Sequence, residues 1–346
     1  VRVNTRIFRW TRNKPTGRQR IGVATGIAAY AALQLLSQYF WKPGFRSDFG
    51  LVWFGARSII HGVDPYPLVG PGLTYDWPYH LLYPATAMVA AIPLSILTEK
   101  TASLLFVSGS AFLLAYGMTR NGWHLLPLFV TSSFASSAQN AQWSILFTAA
   151  LFIPWLAIFV AAKPQAGIGP VISASTSKPL LIAAIGGATL SAISLLLLPS
   201  WPMEWLQLLR SSTSHMQPLL FTPTGVLLFL VLLRWRRPEA WLLLSVAIVP
   251  QTWWWYNVLM LFTIPATFRE ASMLAIVSSA GALSSPLLME PHASRDSFLQ
   301  AIGMVTVATT YLPATLLILR RPNEGEGPFW MKGVSRATAS QSPVGS

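Results

Sequence analysis

Residues 1–40 read VRVNTRIFRWTRNKPTGRQR followed by IGVATGIAAYAALQLLSQYF. The first half carries seven basic residues (Arg2, Arg6, Arg9, Arg12, Lys14, Arg18 and Arg20) and no acid, and the second half carries no charge. A helix needs about 20 apolar residues to cross a hydrocarbon core of roughly 30 Å. A basic arm followed by such a run is the pattern of an uncleaved first membrane helix with its N-terminus in the cytoplasm. The run is too long for a signal peptide and lacks a small-residue cleavage site. The arm, 1–20, is expected to meet anionic lipid. Nucleic acid is not an expected partner, because no soluble domain accompanies the basic stretch.

Working outward, the runs 143–162, 179–198, 271–289 and 298–319 meet the same length with almost no charge. Only 10% of the chain is charged and 53% is hydrophobic, against roughly 25% charged in a soluble domain. The alternating pattern of a membrane barrel is absent. The expected fold class is therefore all-α: a polytopic helical membrane protein with about ten spans, in a cell membrane, with a bacterial inner membrane as the expected setting. The net charge of +13 is read through the positive-inside rule. With no cysteine in the chain, disulfides, thiolate catalysis and cysteine-bound zinc are excluded.

Positive charge threads the spans. Residues 21–321 form the membrane domain. The segment 21–40 exits and 41–80 is an external loop. Then 81–97 returns, Glu99 and Lys100 make an inner turn, and 101–118 exits. The serine-rich stretch 124–142 is expected to be broken or re-entrant, dipping from the external face, which requires that it line a protein or water cavity. Next, 143–162 goes inward, the loop 163–178 lies inside, 179–198 exits, and 223–233 delivers Arg234, Arg236 and Arg237 to the cytoplasm. The stretch 241–267 reads as two short helices meeting near 251–256 on the external side. Residues 290–296 lie outside, and Arg320 and Arg321 end the last span inside. The tail 322–346 is rich in Pro, Gly and Ser and is expected to be disordered. No internal repeat supports a transporter of duplicated halves, and the spans hold almost none of the acids that a transporter would carry.

Among the eleven acids, Asp48 stands out. It follows Arg46 and Ser47 where the first span ends, and it opens an amphipathic stretch with Trp53, Phe54 and Arg57 that is expected to lie in the interface. Its side chain suits helix capping. No Asp-x-Asp pair, glycine-rich phosphate loop or cluster of metal-ligand spacing occurs, and the histidines (61, 80, 124, 215 and 292) are scattered. Neither a nucleotide-sugar donor, a metal nor another cofactor is therefore expected. The fifteen tryptophans suit interfacial belts, but the run 253–255 beside Tyr256 is denser than a belt needs.

Several short motifs follow one another in order: Asp48-Phe49, Ala56-Arg57, Gly62, Asp64-Pro65-Tyr66, Tyr83-Pro84, Ala141-Gln142-Trp143-Ser144, Lys163-Pro164-Gln165, and the aromatic cluster 251–256 before Pro265. Over about residues 45–265 this order resembles the polytopic C-type glycosyltransferases, and most closely family 87, which includes polyprenyl-phosphate-mannose-dependent mannosyltransferases. The resemblance implies transfer of a hexose such as mannose from a polyprenyl-phosphate donor to a lipid or glycan acceptor on the outer face. It gives Asp48 the role of general base. Expected in the substrate site are Arg46, Arg57, Asp64, Tyr66, Tyr83, Gln142, Trp254 and Tyr256. Arg46, Arg210 and His215 are the outward cations that a lipid-phosphate leaving group would need. Two departures are visible. Ala141 stands where the family usually has glycine, and the chain is short for the family. Both favour the alternative, a non-catalytic subunit of a larger membrane complex.

Overall fold

A computed structural model describes residues 14–211, 218–249, 256, 258–284 and 295–331. The chain is mostly helical, and among the described residues a single two-stranded parallel ladder pairs Val69 with Tyr75 and Gly70 with Asp76. Among the described residues, four helical stretches are long and apolar enough to cross a membrane: Gly17–Trp41, Glu99–Asn121, Lys178–Leu197 and Leu299–Leu319. Two of them are lightly covered by protein. Helix α1 (Gly17–Trp41) buries only Ala24, Ala31 and Leu35. The corresponding set in Lys178–Leu197 is Pro179, Ile182, Gly186 and Ser194. Apolar surface around most of a helix fits lipid contact.

Side-chain contacts fix which segment ends lie together. Helix α1 begins at a capping box between Thr16 and Gln19. Its Arg20 guanidinium sits 4.0 Å from the Tyr116 ring centroid. At its far end, Tyr39 meets Phe45 edge-on, and the Lys100 ammonium lies over the Tyr39 ring. The second long helix (Glu99–Met118) is thus antiparallel to α1, and Glu99 lies at the same end as Asp48. Helix α2 (Asp48–Ile60) packs at that end over helix α3 (Ala85–Ala91), where Gly55 lets Met88 approach. The long helix becomes α4. This corrects the expected threading: 81–97 is not a crossing helix, since only seven residues of it form α3 and Ile92–Leu94 is a 3₁₀ turn. Everything from Asp48 to Thr98 stays at one end.

The stretch 124–142 is broken, as expected, into a 3₁₀ turn (Leu126–Val130) and α5 (Ser132–Gln139). It runs from one end to the other instead of dipping from a single face. His124 lies near Glu270, Phe134 stacks on Tyr30, Gln139 bonds Gln34 at 2.9 Å, and Asn140 reaches Asp48. The run 143–162 is two opposed pieces, α6 (Ser144–Ala150) and a 3₁₀ helix (Pro154–Ala162), with Pro154 starting the second. At about 2.0 Å per residue, nine 3₁₀ residues extend about 18 Å, where an α-helix extends about 13.5 Å. Lys163 therefore returns to the Asp48 end, and α7 (Pro164–Ile172) leads away from it. The expected loop 163–178 is split accordingly: Lys163 lies at one end and 173–178 at the other, where the Phe329 N–H donates to the Ala174 carbonyl.

Helix α8 (Lys178–Leu197) returns to the Asp48 end, where α9 (Trp201–Ser211) anchors through the Trp205 indole donating to the Leu82 carbonyl at 3.0 Å. A 3₁₀ run (Gly225–Arg234) leads back, and α10 (Pro238–Ala247) follows. Helix α11 (Phe268–Ser284) starts beside Arg321. Helices α12 (Arg295–Thr306) and α13 (Leu312–Leu319), joined by a π turn at Val307–Tyr311, finish there. Arg321 closes this end: it donates to the Ile264 carbonyl at 2.8 Å and pairs with Glu239 at 3.3 Å and Glu270 at 3.2 Å. The basic arm up to residue 13, the segment 285–294 and the tail beyond residue 331 lie outside the described residues.

Candidate functional site

Asp48, Tyr83, Gln142 and Lys163 each stand beside a break in a helix, and the local chemistry makes each break. Ser47 caps α2: its hydroxyl accepts from the Gly50 N–H at 3.1 Å and shares a 2.8 Å bond with Ser103. Capping thus belongs to Ser47, and the Asp48 side chain is left out of it. The Asp48 N–H donates to the Asn140 carbonyl at 3.0 Å, tying α2 to the turn after α5.

That turn is a Schellman motif. The Gln142 N–H donates to the Ser137 carbonyl and the Ala141 N–H to the Ala138 carbonyl. The geometry places Ala141 at φ +49°, the sole non-glycine residue with positive φ among the described residues. Glycine normally fills this position, and alanine there costs about 1 kcal/mol. The departure at Ala141 therefore keeps the turn, at some strain, and the turn sends Gln142 back into the protein, 2% exposed.

Two prolines place the next pair. A residue before proline is driven to extended backbone. Tyr83 precedes Pro84, the N-cap of α3, and Lys163 precedes Pro164, at the start of α7, with φ −151°. Tyr66 lies beneath Tyr83 and donates its hydroxyl to the Tyr83 carbonyl at 3.2 Å. Asp64 shapes that turn by accepting from the Tyr66 N–H at 2.9 Å. Tyr256 lies just before the 3₁₀ helix Val258–Thr263.

These breaks bring Asp48, Tyr83, Gln142 and Lys163 together, and Tyr256 stands beside them. The Lys163 ammonium donates to the Gln142 Oε1 at 3.3 Å and lies 5.3 Å from the Tyr83 ring centroid. Tyr256 stands beside Gln142 and Ser136. Asp48 faces Lys163, Tyr83 and Tyr256 electrostatically. Among the described residues no hydrogen bond to the Asp48 carboxylate and no ion pair within 4.0 Å is found. Burial pushes its pKa up to about 6, against the opposing pull of Lys163. Burial, followed by the charge of Asp48, holds the Tyr83 phenol protonated as a donor.

The other expected site residues go elsewhere. The Arg46 guanidinium stacks 4.0 Å over the Tyr75 ring, whose hydroxyl donates to Glu99 at 2.9 Å. Arg57 is exposed and lies over Trp53. Tyr66 is 3% exposed and supports Tyr83 from behind. Asp64 faces Glu204 on α9. Arg210 is exposed in the last turn of α9. His215 and Trp254 lie outside the described residues. Sequence reasoning missed the placement of Lys163. Its signal was the proline after it, which turns the chain at the same end as the other breaks. Comparison of the chain with family models, with curated proteins and with solved structures gave no match.

Proposed function

We propose that this chain is a membrane glycosyltransferase that moves a hexose from a polyprenyl-phosphate donor to a lipid or glycan hydroxyl, with Asp48 as general base. The observation that carries the reading is the Asp48 carboxylate: set among protein atoms, released from capping by Ser47, and facing a lysine and two tyrosines. A sugar hydroxyl is a weak nucleophile, and a carboxylate within reach takes its proton as the new bond forms. The hydroxyl oxygen bonds to the anomeric carbon, the bond from that carbon to the phosphate oxygen breaks, and the polyprenyl phosphate departs with the electron pair. Tyr83, Gln142 and Tyr256 supply donors and an aromatic face for the sugar.

A base must be ionised to act, and the ionised fraction of Asp48 rises as pH climbs through about 6. Transfer at limiting substrate should accordingly rise over that window, and at pH 5 stand at roughly a tenth of its plateau. A pH–rate profile flat between pH 5 and 8 would contradict the assignment.

In this reading the Asp48 end faces outward. Arginines crowd the opposite end (Arg120, Arg234, Arg237, Arg320 and Arg321), whereas the Asp48 end nearly balances its bases with Asp48, Asp64, Asp76, Glu99 and Glu204. That asymmetry matches the positive-inside rule. The chain has no cysteine, so single reporters are clean. Ser47 is buried and unsuitable, but Val63 is 45% exposed. A cysteine at Val63 should react with an impermeant thiol reagent on intact cells, and one at the exposed Ser175 only after permeabilisation. The reverse pattern would invert the orientation and remove the outer-face site.

A further inference from the structure

Of the cations that the sequence nominated for the donor's phosphate, Arg46 stacks on Tyr75, Arg210 sits at an exposed helix end, and His215 lies outside the described residues. Lys163 is different. Its backbone is fixed by Pro164, and its ammonium projects among Gln142, Tyr83 and Asp48. An ammonium has three donors, and one is engaged, by the Gln142 amide oxygen. Asp48 and Lys163 attract each other across the site but stand more than an ion-pair distance apart. Opposite charges held apart at half-buried positions leave the cation available to a second anion.

We infer that Lys163 holds the phosphate of the polyprenyl-phosphate donor, and that its engagement by that phosphate turns Asp48 into the active base. The inference rests on the transferase reading above and adds the order of events at the same site. With the donor absent, the field of Lys163 favours the ionised carboxylate and weakens it as a base. When the phosphate arrives, it takes up the ammonium and sets its own negative charge beside Asp48. Both changes raise the affinity of Asp48 for a proton, so it draws the proton from the acceptor hydroxyl once the donor is in place. Lys163 then stays with the phosphate as the anomeric bond breaks and neutralises the charge that collects on the leaving oxygen. Such coupling suppresses deprotonation of an acceptor that binds alone.

The test uses the full chain in lipid nanodiscs, with undecaprenyl phosphate as probe and uncharged undecaprenol as control. Binding is followed by intrinsic tryptophan fluorescence. Loss of a charged hydrogen bond should make Lys163→Met bind the phosphate about tenfold or more weakly, with undecaprenol binding unchanged. Lys163→Arg, which keeps the charge, should stay within a few-fold of the wild type. Asp48→Asn should bind the phosphate as tightly or several-fold more tightly, because a competing carboxylate is removed. That opposite sign keeps the inference falsifiable even where Lys163→Met folds poorly. Wild-type affinity in a folded Lys163→Met chain, or weaker binding in Asp48→Asn, would overturn it. Transfer is read separately: the expected binding pattern in a chain that transfers no sugar would sink the transferase reading while leaving Lys163 as a lipid-phosphate site.

Discussion

Replacing Asp48 by Asn should lower sugar transfer by about 10²–10⁴-fold, the usual range for removal of a general base, while the protein folds and holds donor at least as tightly as before. Asn is nearly isosteric with Asp but cannot take a proton. The substitution leaves the helix start intact, because the cap bond to the Gly50 N–H comes from the Ser47 hydroxyl and the tie to the Asn140 carbonyl is a backbone bond. Stability moves in a direction that follows from the proton balance. Burial raises the carboxyl's pKa in the folded chain to about 6, above its unfolded value, so ionised Asp48 works against folding above that pH. That penalty fades as pH falls toward the unfolded value. Asp48→Asn should therefore melt at least as high as wild type at pH 7.5, with the difference vanishing near pH 4. A variant that transfers at the wild-type rate would remove Asp48 from the chemistry.

Arg321→Met should destabilise the protein by roughly 2–3 kcal/mol, the lower side of the range for breaking a buried ion pair, since the partners are partly exposed. The Arg321 side chain is 16% exposed and joins three segments: Glu239 on α10, Glu270 on α11, and the Ile264 carbonyl between them. Its backbone carbonyl also accepts from the Arg234 side chain. Without the guanidinium, Glu239 keeps only the longer contact with Arg237 at 3.8 Å, and Glu270 keeps the Ala266 N–H. Arg46→Met, which removes a ring contact on a surface-facing helix start, should cost less than half as much. Thermal or detergent unfolding of the two variants side by side reads the difference. Equal effects would deny Arg321 its closing role.

The helices that the sequence reveals are those whose physics is written in one uninterrupted run. Helix α1, α8 and the last span each offer about 20 apolar residues in sequence, and length alone identifies them. The run 143–162 has the same length and composition, yet it folds back on itself at 151–153. Hydropathy has no direction, so a doubled-back pair and a single crossing look alike, and only Pro154 hints at the difference. The same holds for 81–97, where Pro84 and Pro93 interrupt an apolar stretch that stays at one end. One misplaced crossing inverts the next segments, and hydropathy therefore puts Lys163 at the wrong end. The positive-inside rule weighs whole loops, and a single lysine with a structural partner such as Gln142 escapes it.

The site was legible to the extent that breaks are legible. Asp48, Tyr83, Gln142 and Tyr256 were each marked by a motif, and the structure brings the first three together through Ser47, Pro84 and the Ala141 turn, with Tyr256 beside them. Arg46, Asp64 and Tyr66 lie in the same motifs but hold the frame: they meet Tyr75, the Tyr66 N–H and the Tyr83 carbonyl. A motif records that a residue type matters at a place. It does not record whether the side chain faces the substrate or the residue that does.

Direct assay of the purified wild-type chain, in nanodiscs with radiolabelled polyprenyl-phosphate hexoses and a membrane lipid extract as acceptor, tests the central claim most squarely. The account predicts release of free polyprenyl phosphate in step with a newly glycosylated acceptor, for at least one hexose. No donor consumed from any hexose, by a chain that copurifies in fixed ratio with other membrane subunits, would contradict it and identify a structural subunit instead.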